Sequence, residues 1–139
     1  MSFSKKTAAR RTALQALYQW LMTDAGISDI ENQFKDSQDL SRVDIDYFHE
    51  LISQATAQFE PLKEMLSDDV DRPFDEITPV EKAILLIGSY ELVNKIEMPG
   101  RVVINESVNA AKKFGADQSH RMINGVLDRI AKRVRPNEF

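Results

Sequence analysis

The stretch Ile77-Thr78-Pro79-Val80-Glu81, followed by AILLIGSYEL after Lys82, constrains this chain more than any other. Thr78 can accept a hydrogen bond from the third helical N–H, Pro79 suits the first helical position, and Glu81 can reach back to the residue that caps it. The spacing predicts a helix over 79–94. From Ala83 to Gly88 it is apolar on almost every side, so it cannot lie on a surface with one face in water. Such a helix needs neighbours all round, and Gly88 suits a close helix crossing.

The rest of the chain offers neighbours of the same kind. Ala13, Ala16, Leu17, Trp20 and Leu21 repeat at helical spacing and predict a first helix over about 6–23, stopped by Gly26. Ser28 and Glu31 read as a capping box for a short second helix holding Ile30 and Phe34. Ile45, Phe48, Leu51, Ile52, Ala55 and Phe59 mark a third, ended near Glu60 by the restriction Pro61 places on the residue before it. Leu62, Met65, Leu66 and Val70 mark a fourth. After the turn at Pro99-Gly100, a sixth helix carries Ile104, Val108 and Ala111, with Gly115 expected as its left-handed cap. Asp117 can open a seventh, whose buried stripe is Met122 or Ile123, then Val126, Leu127, Ile130 and Val134. With five glycines and five prolines in 139 residues and no sustained alternation, strands have no support. The expected class is all-α, about seven helices in two packed bundles of one domain, 1–139, with halves about 1–60 and 61–139.

The absence of cysteine excludes disulfides and thiolate metal sites; no metal and no cofactor are expected. No apolar run approaches the roughly 18 residues of a membrane span, and the basic start is not followed by a secretory apolar segment, so a cytoplasmic protein is expected. His49 and His120 belong to no zinc or triad motif, and no phosphate-binding loop is present, so no enzyme is expected.

Charge is segregated. Residues 1–23 hold four cations, Lys5, Lys6, Arg10 and Arg11, and no carboxylate; residues 24–111 hold 7 basic and 19 acidic groups; residues 112–135 hold 7 and 2. A polyanion responds to the field within about 8 Å, so both basic ends could meet one phosphate backbone despite the net charge of −4. On the first helix Arg11, Gln15, Tyr18 and Met22 form a stripe of cation, amide and ring beside the apolar one, a combination suited to single-stranded nucleic acid. The alternative for Tyr18 is an amphipathic ring flanking the core. At the start of the seventh helix Ser119, His120 and Asn124 surround N–H groups that favour an anion. Gly125 would let a neighbouring helix approach, the favoured reading, or a sugar–phosphate chain. Arg129, Lys132, Arg133 and Arg135 suit the carboxyl end of that helix.

ARRTALQALYQW, EITPVEKAILLIGSYEL and VINESVNAAKKFGADQSHRMINGVLDRI together resemble the NusB family of bacterial transcription antitermination factors, over essentially the whole chain. The resemblance implies two packed helix bundles and no enzyme activity. It implies binding of boxA RNA with NusE, a small-subunit ribosomal protein, within an RNA polymerase antitermination complex that reads through terminators, notably in ribosomal RNA operons. Carried over residue by residue, it makes Lys5, Lys6, Arg10, Arg11, Gln15, Tyr18, Ser119, Met122 and Asn124 the RNA-binding candidates and Glu81 the candidate for the protein partner. Two positions depart from the family pattern: the arm is less dense in arginine, and Met122 stands where an aromatic ring is frequent. A weak homodimer of the free chain stands beside a monomer as its resting state. The rival readings are a helical adaptor that binds only protein, and the NusB-like module of RNA cytosine methyltransferases, whose catalytic domain is not expected in a chain ending at Phe139.

Overall fold

The structure, a computed structural model, describes residues 4–139. Among these lie seven α-helices, one 3-10 turn at Phe74–Glu76 and no strand: α1 Lys5–Met22, α2 Ile27–Ser37, α3 Ile45–Ala57, α4 Phe59–Ser67, α5 Pro79–Asn94, α6 Gly100–Phe114 and α7 Ser119–Val134. The all-α expectation holds. None of these helices is long and apolar enough to cross a membrane.

Helix α5 is the axis. Its Thr78–Glu81 capping box forms as the sequence predicts, every residue from Ala83 to Leu92 is buried, and α1, α3, α4, α6 and α7 all pack against it. Gly88 marks the tightest crossing: a Cβ there would sit 2.8 Å from both Leu127 Cδ1 of α7 and Ser107 Oγ of α6. Around this axis, α1 packs against α2 and α3, and α6 packs against α7. Trp20 and Phe59 meet edge to face at 5.3 Å where α1 reaches α4.

Several local expectations are corrected. Ser28 and Glu31 form no capping box, because α2 begins two residues earlier than that box requires, with Gly26 at its N-cap and no side-chain cap. Glu31 is buried and bonds instead to His49 Nδ1 at 2.9 Å and Lys35 Nζ at 3.1 Å, fastening α2 to α3. Pro61 does not mark the boundary it was expected to mark. The chain breaks at Gln58, and Pro61 sits in the first turn of α4, where its missing N–H costs nothing. Gly115 is extended, with φ −86°; the left-handed residue is Gln118, φ 70°, which also takes the N-cap place expected of Asp117. Val134 lies outside the buried stripe of α7, while Ile123 rather than Met122 fills it.

The Glu31 clamp carries a pH dependence. Burial alone would raise its carboxyl, but the hydrogen bonds from His49 and Lys35 outweigh that and hold it below the ordinary 4.5. A lowered carboxyl contributes stability above its unfolded-state value and loses it as pH falls through the folded-state value. The contribution of this α2–α3 clamp should therefore be lost as pH falls below about 4.5. Glu31→Gln is expected to flatten the stability–pH curve in that window; an unchanged slope in urea titrations across it would refute the role.

Candidate nucleic-acid interface

The basic start folds as the first turns of α1. Ser4 caps the helix by accepting from the Thr7 N–H at 3.0 Å, which fixes the direction in which each following cation leaves the axis. Lys5, Lys6, Gln15 and Tyr18 are exposed, Tyr18 by 40%, and Arg11 is half-buried. The strip Arg11–Gln15–Tyr18–Met22 thus lies on the outside of α1, beside the buried Ala13, Ala16 and Leu17.

Arg10 does not join it. Consecutive helical residues diverge by about 100°, and Arg10 turns into the interior, its side chain 11% exposed. Its Nε donates to Glu91 Oε2 at 2.8 Å, one terminal nitrogen to Glu106 Oε1 at 2.8 Å and the other to Met98 Sδ at 3.4 Å. Tyr47 Oη donates to the same Glu91 oxygen, and the Thr7 hydroxyl donates to Glu106 at 2.5 Å. Burial pushes Glu91 above the ordinary carboxylate range even though Arg10 and Tyr47 pull the other way. Burial, with Glu91 beside it, likewise raises Tyr47. This network ties α1, α3, α5 and α6 together, so Arg10 acts as a structural cation in this fold and lies off the outward strip.

The second predicted surface divides in the same way. Ser119 is buried and donates to Glu81 Oε2 at 2.8 Å. Glu81 is buried too, its other oxygen accepting from the Thr78 hydroxyl at 3.0 Å. The pair fastens the start of α7 to the start of α5. Neither side chain is turned outward in this structure: both are spent on the joint between α5 and α7. Asn124 is exposed and Met122 half-buried. No neighbouring helix packs on Gly125: the groups within 4 Å of a Cβ there belong to Arg129 of its own helix, the nearer at 3.4 Å, so the helix-packing reading of this glycine is corrected.

The basic end of α7 is not a simple complement to its own dipole. Arg129 donates to the Asp69 carbonyl at 2.6 Å and Arg133 pairs with the Asp69 carboxylate at 2.5 Å. Arg135 is buried and donates to the carbonyls of Glu91, Leu92, Lys95 and Met98, closing the end of α5 instead.

Between α1 and α6 runs a groove lined by Arg11 and Leu14 on one side, Asn109 and Ala110 on the other, and Ile84 and Ile87 of α5 beneath. Sequence periodicity located the buried stripe of α6 but gave no sign that its neighbouring face, with Asn109, looks across at α1. Nor did it single out Tyr47, Glu91 and Glu106, whose only signal was a charged or phenolic residue inside an apolar pattern.

An all-helical fold wrapped on one buried helix, with a face that mixes cations, an amide, a phenol and a shallow apolar groove, defines a small helical binding protein. The chain belongs to the NusB family, whose model matches residues 7–132. It is 47% identical over 132 residues to the Transcription antitermination protein NusB of Alcanivorax borkumensis, covering 95% of this chain and 88% of that protein. Among solved structures, a T. maritima NusB superposes with a TM-score of 0.83 at 24% identity, covering 99% of this chain and 97% of that one. A chain from the crystal structure of antitermination factors NusB and NusE in complex with dsRNA superposes at 0.81 with 21% identity, covering 95% and 99%. These two likenesses bear on the fold alone.

Proposed function

We propose that this chain is a transcription antitermination factor. It binds boxA RNA together with the ribosomal protein NusE and, within an antitermination complex, helps RNA polymerase read through terminators, notably in ribosomal RNA operons. It acts in the cytoplasm, by binding and not by catalysis, as one domain with halves about 1–60 and 61–139. The observation that carries this reading is the outward strip Arg11–Gln15–Tyr18 on α1, preceded by exposed Lys5 and Lys6, in a chain 47% identical to an antitermination protein. The solved NusB with NusE and double-stranded RNA supports the choice of partners.

The chemistry fits an unpaired strand. Lysines and a guanidinium neutralise phosphates, the Gln15 amide reads a base edge, and the Tyr18 ring stacks a base. Asn124 and the half-buried Met122 extend the surface at the start of α7. A few phosphate contacts on an acidic scaffold give weak, salt-sensitive affinity, with a slope of about −0.7 per neutralised phosphate on a single strand. A basic partner held by the acidic middle of the chain supplies the remaining contacts.

Arg11→Ala with Tyr18→Ala is expected to weaken binding of labelled boxA RNA by about tenfold or more, since stacking alone is worth roughly 1–3 kcal/mol. Anisotropy titrations with and without NusE, at two salt concentrations, measure it. Affinity equal to that of the unaltered chain in both settings would rule out α1 as the RNA surface.

A further inference from the structure

We infer that α6 forms the second wall of the RNA site: the strand lies in the groove between α1 and α6, held by Asn109 and Lys113 opposite Arg11. The inference rests on the proposed RNA-binding function and extends it to a helix on which no RNA-binding candidate had been placed.

The two helices run in the same direction along α5. Thr7 and Arg10 meet Glu106, and one turn further on Arg11 and Leu14 share the groove with Asn109 and Ala110. Lys113 follows Asn109 by four residues and Ala110 by three, so it continues the same face of α6. Tyr18 lies at the corresponding level of α1, seven residues beyond Arg11. Asn109, Lys112 and Lys113 are exposed, and Ala110 is half-buried.

The charge along this groove is graded. Midway along α6, at one end of the groove, the Glu106 carboxylate, fixed by Thr7 and Arg10, repels phosphate. At the other end Lys112 and Lys113 attract it. The floor between them, Leu14, Ile84, Ile87 and Ala110, is apolar and shallow. A polyanion without apolar groups would gain nothing from that floor, and an apolar peptide would gain nothing from the cations. An unpaired nucleic-acid strand uses both, laying a base over Ala110 and Leu14 while its phosphates face Arg11 and Lys113, with the Asn109 amide at a base edge. The gradient also sets where the strand leaves: it turns away before Glu106.

The test uses the full chain and the boxA RNA described above. Asn109→Ala with Lys113→Ala is expected to weaken binding about tenfold, and Lys113→Ala alone to make the salt slope shallower by about 0.7. Lys132→Ala, on the far end of α7 and paired with Asp128, serves as the control and should bind as the unaltered chain does. Thermal melts should coincide for all these variants because each altered side chain is exposed. If the unaltered chain binds and the Arg11/Tyr18 variant is weakened, but the Asn109/Lys113 variant stays within twofold with an unchanged salt slope, the second wall is refuted and the α1 surface survives. If the unaltered chain binds no RNA with or without NusE, both readings fall together.

Discussion

Replacing Arg10 with alanine is expected to destabilise the protein by about 3–5 kcal/mol, the range for removing one partner of a buried ion pair. Glu91 is fully buried, one of its oxygens is shared by Arg10 and Tyr47, and the other has no hydrogen-bond partner. Without the guanidinium that carboxylate keeps only the Tyr47 hydroxyl and no opposite charge, and Glu106 loses a donor as well. For a domain whose whole stability is typically about 5–15 kcal/mol, this brings unfolding within reach of mild denaturant. The sign of the pH dependence follows from the direction of the Glu91 shift. Burial already holds its carboxyl high, and loss of Arg10 raises it further. A raised carboxyl contributes stability at low pH that is lost as pH rises, so the variant should be least impaired in acid. Adding Glu91→Gln to the Arg10→Ala chain should recover part of the loss at neutral pH, since it removes the charge that was left unpaired. Urea midpoints for the single and double variants measure both effects. A single variant within 1 kcal/mol of the unaltered chain would show that the network contributes little.

Replacing Arg135 with alanine ranks second. The last carbonyls of a helix have no partner within it, and here a side chain from beyond the end of α7 donates to four carbonyls at the end of α5 and the loop after it. The Glu91 and Lys95 carbonyls also accept from the backbone N–H groups of Lys95 and Met98, so the substitution leaves the Leu92 and Met98 carbonyls unpaired. Each such buried acceptor costs roughly 1–3 kcal/mol, and water entering the vacated space offsets part of that, so the expected loss is about 2–4 kcal/mol. Lysine should not restore it, because an ammonium cannot match the planar fork that reaches several carbonyls at once. Hydrogen exchange should localise the damage to the end of α5 and to Lys95–Pro99, and Met98 in that loop also contacts Arg10 and Tyr47. Protection unchanged there, with an unchanged melting temperature, would refute the assignment.

Both predictions concern arginines that the sequence assigned to other work, and the reason is instructive. A guanidinium at the start of a basic helix and another at the end of a basic helix look alike as charges. What separates Arg10 from Arg11 is an angle about the helix axis, and that angle matters only because α5 and α6 lie on one side of α1. Glu81 and Ser119 carry the same lesson. The capping box of Glu81 was legible because it is local, spanning three residues, whereas its second oxygen meets a hydroxyl 38 positions away. The mistaken capping box at Ser28 shows the limit of local reasoning in the other direction, since Glu31 found stronger partners in Lys35 and His49.

By itself the sequence determined that this is an all-helical protein built on one buried helix, that its cations gather near both ends, and that Tyr18 and Arg11 share a strip. Those properties follow from periodicity, caps and charge, which act over a few residues and so can be read along the chain. Only the tertiary structure decided which cations face solvent and which seal the interior, and that α6 stands opposite α1 across a groove. Such choices depend on what packs against each helix face, and burial converts a surface charge into an ion pair wherever a carboxylate from a distant helix lies within reach.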